Sequence, residues 1–196
     1  MALEQSIEKI PIRIIRSRNH LGKLQDEIVM DCSSAISFGP KIRTKMRKCK
    51  KRFSKLRDEL KKLSKKGKRK QSSDYWKIGQ LIIDFNKNIE KEFIIINYRQ
   101  AIARIGKKYS LSDSQTGIIE QFAETFKKEE ILDKIPFTFY LEFVLKQSQL
   151  DSKNLLEQEK ARLLELGKKG KLPDHKKYRS ELKLLVNSNE EVGGRT

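Results

Sequence analysis

Apolar side chains recur between residues 42 and 63 in alternating steps of four and three, at Ile42, Met46, Cys49, Phe53, Leu56, Leu60 and Leu63, and most residues between them are Lys or Arg. On an α-helix this spacing gathers the apolar positions into one stripe. The stripe has to be covered and the opposite face has to stay in water, which predicts a long amphipathic helix beginning after Pro40. Three heptads of such a stripe have the form of a coiled-coil seam. A preceding helix is expected over about residues 21–36, on Leu21, Leu24, Ile28 and Ile36, ended by Phe38, Gly39 and Pro40. Together the two predict a basic antiparallel helical hairpin, or a homodimer if the seam pairs between chains.

The same stretch dominates the electrostatics. Seventeen of the thirty residues in 41–70 are Lys or Arg and only Asp58 and Glu59 are acidic, so this segment holds +15 of a formal net charge of +18. Positive charge so concentrated points to a polyanion, because each phosphate neutralised releases condensed counterions. A helical rod of about 35 Å, at 1.5 Å per residue, is expected to present Arg43, Arg47, Lys48, Lys51, Arg52 and Lys55 to a phosphate backbone.

With 37% hydrophobic and 36% charged residues over 196 positions, the chain suits an all-α architecture around a modest core. An N-terminal arm is expected over 1–20, extended at IPIRII (10–15), where Pro11 disfavours a helix start and the β-branched residues favour a strand. The hairpin then occupies 21–66, and a linker 67–73, since SKKGKRKQSS at 64–73 has no apolar residue and contains Gly67. A helical domain is expected over 74–186 and a disordered tail over 187–196.

Within that domain, Tyr75, Trp76, Ile78, Leu81, Ile82 and Phe85 make one amphipathic face; Tyr98, Ala101, Ile102 and Ile105 a second; Ile118, Ile119, Phe122 and Phe126 a third. Further helices are expected at 137–147, 152–166 and about 175–186, with Pro136 and Pro173 near their starts. Tyr75 and Trp76 could stack on bases, but beside Ile78 and Leu81 they read as core. The short turn at 109–112, with Ser112 and Gln115 matching a capping box, makes the helices at 98–108 and 113–126 resemble a helix-turn-helix. In that geometry Ser114, Gln115 and Thr116 would face base edges, while Arg99, Arg104, Lys107 and Lys108 would hold phosphates.

YWKIGQLI at 75–82, EQFAETF at 120–126 and IPFTFYLEFVL at 135–145 follow one another in an order that resembles the N-terminal helical domain of the YhcG-type family. These are bacterial and archaeal proteins in which that domain precedes a PD-(D/E)XK nuclease-like domain. The resemblance covers about residues 75–183 and implies DNA binding by a helix-turn-helix-like domain in a genome-defence or mobile-element setting. Phe137 stands where the family usually has Trp, SDSQT replaces its arginine-rich second-helix start, and the basic segment lies outside the pattern.

Enzymatic signatures do not hold up. Pro173-Asp174 with Glu181-Leu182-Lys183 matches PD…ExK formally, but that site needs adjoining strands, whereas Tyr178, Leu182 and Leu185 continue a helical face. Gly106-Lys107 and Gly167-Lys168 do not form a P-loop and read as helix C-terminal stops. The two cysteines, Cys32 and Cys49, and two histidines, His20 and His175, lack metal-ligand spacing, so no metal or cofactor is expected. Neither a membrane-spanning run nor a secretory signal in MALEQSIEKIPIRIIRSRN is apparent, which predicts a cytoplasmic, nucleoid-associated protein. The leading expectation is a non-enzymatic protein binding double-stranded DNA as a regulator, partition or genome-organising factor. An RNA- or ribosome-binding factor and a coiled-coil interaction scaffold are the alternatives.

Overall fold

The computed structural model describes residues 10–30, 40–63, 70–91, 93–95 and 113–187. It divides into two compact units: Met1–Gly67 with Gln80–Gly117, and Lys68–Gly79 with Ile118–Thr196.

Unit 1 begins with two strands, β1 (Ile10–Arg18) and β2 (Leu24–Met30). They pair antiparallel, with Ile12 opposite Met30, Ile14 opposite Ile28 and Arg18 opposite Leu24. A third strand, β3 (Phe93–Ile95), runs parallel to β1, giving the order β2-β1-β3. The fold is therefore mixed α/β, and the all-α expectation is overturned. The correction has a local cause. Asn19 accepts hydrogen bonds on Oδ1 from the backbone N–H of Leu21 (3.0 Å) and of Lys23 (2.9 Å), and Gly22 takes a positive φ of 71°, so residues 19–23 close a tight turn. Leu21, expected on a buried helical face, is 66% exposed in that turn. Once IPIRII is a strand its backbone N–H and C=O groups need partners, and 24–30 supplies them. Side chains then alternate, burying Ile10, Ile12, Ile14, Asp26 and Ile28 on one face.

The helix expected after Pro40 is present as α1 (Pro40–Leu63), and it buries Met46, Cys49, Phe53, Leu56 and Leu60 of the seam, with Ile42 and Leu63 half-buried. The seam is covered within the chain, by β2 and by the later part of α2 (Ser72–Glu90). Phe53 meets Phe85 with ring centroids 5.9 Å apart, and the Arg52 guanidinium donates to the Asn88 carbonyl at 2.8 Å. The expected helical hairpin and coiled coil are thus replaced by a helix on a sheet. A four-three stripe says that one face is buried but not whether a helix or a sheet buries it.

Unit 2 is helical. Ser72 and Ser73, expected in the linker, open α2, and the Ser72 hydroxyl donates to the Ile135 carbonyl at 2.6 Å. Next come α3 (Asp113–Thr125), which belongs to this unit from Ile118 on, a 3-10 turn at Lys128–Glu130, α4 (Phe137–Ser152), α5 (Leu156–Lys169) and α6 (His175–Asn187). The core joins Phe122, Phe126, Phe139, Tyr140, Phe143, Leu163, Tyr178 and Leu182. Trp76 donates to the Phe126 carbonyl at 2.8 Å, and Tyr75 stacks on Phe137 at 4.0 Å, so both aromatics serve packing. A Cβ on Gly79 would fall 2.4 Å from Ala123 Cβ, which shows how closely α2 and α3 approach.

Gly167 is not a helix stop. It lies inside α5, where a Cβ would come within 2.3 Å of the Ile135 side chain, and the stop is Gly170, in the left-handed region at φ 64°. Lys160 is 11% exposed, bonds Glu130 (2.9 Å) and the Thr125 carbonyl (2.9 Å), and so ties α5 to the C-terminal end of α3. The Tyr140 hydroxyl accepts from the Leu132 N–H and donates to the Glu130 carbonyl, and burial pushes its pKa up to about 12.

Candidate nucleic-acid interface

The outer side of α1 follows from the inner one. With Met46, Cys49, Phe53, Leu56 and Leu60 fixed inward, the 100° turn per residue places Arg43, Arg47, Lys51 and Lys55, four apart, along the other side, with Lys48 beside them. All five are exposed. The ladder from Arg43 to Lys55 runs about 18 Å, at 1.5 Å per residue, which matches about five phosphates at 3.4 Å per nucleotide of one strand.

The cations of α1 differ in what they already hold. Lys50 bonds Glu27 at 3.0 Å, Lys62 bonds Glu59 at 2.7 Å, and Arg57 lies 3.6 Å from Asp58. The Lys50 hydrogen bond holds the Glu27 carboxyl below its ordinary range, and the Glu59 hydrogen bond raises the Lys62 amine. Arg52, expected on phosphate, is exposed but engaged with the Asn88 carbonyl. Among the described residues no carboxylate lies within ion-pair distance of Arg43, Arg47, Lys48, Lys51 or Lys55. Like charges four apart on a helix disfavour it by about 0.2–0.5 kcal/mol each, and a polyanion laid along the ladder would reverse the sign.

Beside the ladder, Arg52, Lys55, Leu56, Glu59, Leu81, Asp84, Phe85 and Asn88 line a groove of about 340 Å³ in unit 1. Its two acids make it unsuited to phosphate. The chain matches no protein-family model, no curated protein and no solved structure.

The base-reading expectation fares differently. Arg99, Arg104, Lys107 and Lys108, and the first helix and turn of the expected helix-turn-helix, lie outside the described residues. The second helix is present as α3. Thr116 on it is fully buried, which closes its side chain to a base edge; Gln115 is half-buried, and the Ser114 side chain lies outside the described residues. The signal was in the spacing: Thr116 stands three residues before Ile119 and so continues the stripe of Ile119, Ala123 and Phe126, all buried. Asp174 and Glu181, of the PD…ExK match, sit before and within α6: the Asp174 carboxylate accepts from the Lys176 N–H at 2.8 Å, and Glu181 bonds Arg162. Among the described residues no cluster of three or more His, Cys, Asp or Glu could hold a metal, and no helix is long and apolar enough to cross a membrane.

Proposed function

We propose that this chain is a non-enzymatic binder of duplex DNA that grips the phosphate backbone through α1, in a genome-organising rather than a base-reading role. The observation that carries the proposal is the exposed ladder Arg43, Arg47, Lys51 and Lys55, without carboxylate partners among the described residues, on a helix whose opposite side is locked into a core. A helix already folded onto a core pre-arranges the backbone that carries these side chains, so binding does not also have to order that backbone. Buried Thr116 argues against base readout by that residue. The resemblance of residues 75–183 to the YhcG-type helical domain favours DNA over RNA.

The test is equilibrium competition among random duplex DNA, single-stranded DNA and folded RNA, followed by sequence selection on duplexes. The proposal expects duplex preference with no enriched motif. Tighter binding to folded RNA, a strongly enriched motif, or magnesium-dependent nicking abolished by Asp174→Ala would each contradict it.

A further inference from the structure

The cations of unit 2 differ in what they already hold. Several are engaged by the protein, among them Lys160 with Glu130, Arg162 with Glu159 and Glu181, Lys169 with Glu165, Arg179 with Glu142, and Lys153 with the Val186 carbonyl. Lys127, Lys128 and Lys134 stand in a stretch interleaved with Glu129, Glu130 and Asp133. The stretch from the end of α5 into α6 is different. Lys168, Lys171, Lys176, Lys177 and Lys183 are all exposed, and among the described residues none has a carboxylate within ion-pair distance.

The acids nearest to them already hold other groups of the protein, Asp174 while still exposed. Asp174 accepts from the Lys176 backbone, Glu181 is held by Arg162, and Glu142 is 7% exposed and faces His175 at 3.6 Å and Arg179 at 3.5 Å. Tyr178, Leu182 and Val186 are the buried stripe of α6. Lys176, Lys177 and Lys183 therefore stand with Ser180 and the exposed Leu184 on the side away from that stripe, a side that contains no acid, whereas Arg179 lies next to the stripe and is held by Glu142. From Lys176 to Lys183 the acid-free side runs about 10 Å, at 1.5 Å per residue, the length of about three nucleotides of one strand.

We infer that this face of α6, with Lys168 and Lys171 at the preceding turn, is a second backbone-binding site for duplex DNA, so that each unit carries its own phosphate contacts. The inference rests on the reading of α1 as the first site. Its chemistry is that of point charges on phosphate, which fixes position without reading sequence.

The test is a salt series on random duplex DNA with the full chain, comparing wild type, an α6 variant (Lys171→Gln, Lys176→Gln, Lys177→Gln, Lys183→Gln) and its Lys→Arg counterpart. Each lost contact flattens the slope of log affinity against log salt by about 0.9. The Gln variant is expected to lose 3 to 4 units of slope, so that between 50 and 200 mM salt its affinity falls by about 100-fold less than that of wild type. The Arg variant is expected to keep the wild-type slope, and all three are expected to melt alike by circular dichroism. If wild type binds with a steep slope that changes on α1 flatten and the Gln changes on α6 leave intact, the second site is overturned while the reading of α1 stands. If wild type shows no salt-dependent binding, the reading of α1 falls and the second site with it.

Discussion

Phe53→Ala separates a seam buried inside the chain from one that waits for a partner. Phe53 is 5% exposed and packs on Phe85, itself 8% exposed, with ring centroids 5.9 Å apart. Removing a buried Phe side chain loses its transfer free energy and leaves a cavity, about 3–5 kcal/mol in all, a large share of the roughly 5–15 kcal/mol typical of a domain. At an m-value of about 2 kcal/mol per molar urea, the unfolding midpoint should fall by about 2 M. Far-UV circular dichroism is the suitable probe, because the single tryptophan, Trp76, belongs to the other unit. Lys51→Ala, on the outer face of the same helix, should change stability by no more than about 0.5 kcal/mol. Equal small shifts for the two variants would refute the buried seam. A midpoint that rose with protein concentration would do so as well, since it would place the seam between chains.

Two further outcomes test unit 2. Burial raises the Glu159 carboxyl above its ordinary pKa, so the native state holds that proton more tightly than the unfolded chain does, and stability from this group declines as pH rises from about 4.5 through the raised native value. Glu159→Gln should remove that decline, seen as a wild-type-minus-variant difference in thermal midpoint that grows more negative between pH 4.5 and 7; a constant difference would contradict the assignment. Gly167→Ala should destabilise by about 1–3 kcal/mol through overpacking against fully buried Ile135, whereas Gly170→Ala meets open space and costs about 1 kcal/mol or slightly more through its positive φ. Urea unfolding that ranked the two glycines the other way would overturn those roles.

What the sequence disclosed follows from how local each signal is. Helix α1 was legible because its stripe and its charge agree over 24 residues, and α3 to α6 because periodicity, Pro136 and the acid at 174 mark them. The sheet was half legible. IPIRII reads as extended, and a lone strand demands a partner, yet Leu24 and Ile28 sit four apart and imitate a helix within LQDEIVM, whose alternation of Asp26, Ile28 and Met30 against Gln25, Glu27 and Val29 is masked by its acids. The turn that decides the matter depends on Asn19 and Gly22, two residues whose role shows only once both flanking strands are known. The phosphate ladder was legible as charge. That Arg52 is engaged by Asn88, 36 positions away, was not, because the contact exists only after α1 and α2 meet. The acid-free face of α6 was hidden because Asp174 and Glu181 are interleaved with its lysines in sequence, and only the fold shows that they already hold the Lys176 N–H and Arg162.

Helix α1 is proposed to hold duplex DNA by its phosphates. The most direct measurement is the salt dependence of affinity for random duplex DNA, in wild type and in a variant carrying Arg43→Gln, Arg47→Gln, Lys51→Gln and Lys55→Gln. Four phosphate contacts correspond to a slope change of about 3 to 4 units, so a steep wild-type slope is expected to flatten by that amount, with weakening alike on every sequence. A variant that binds as tightly, with the same slope, would remove α1 from the interface.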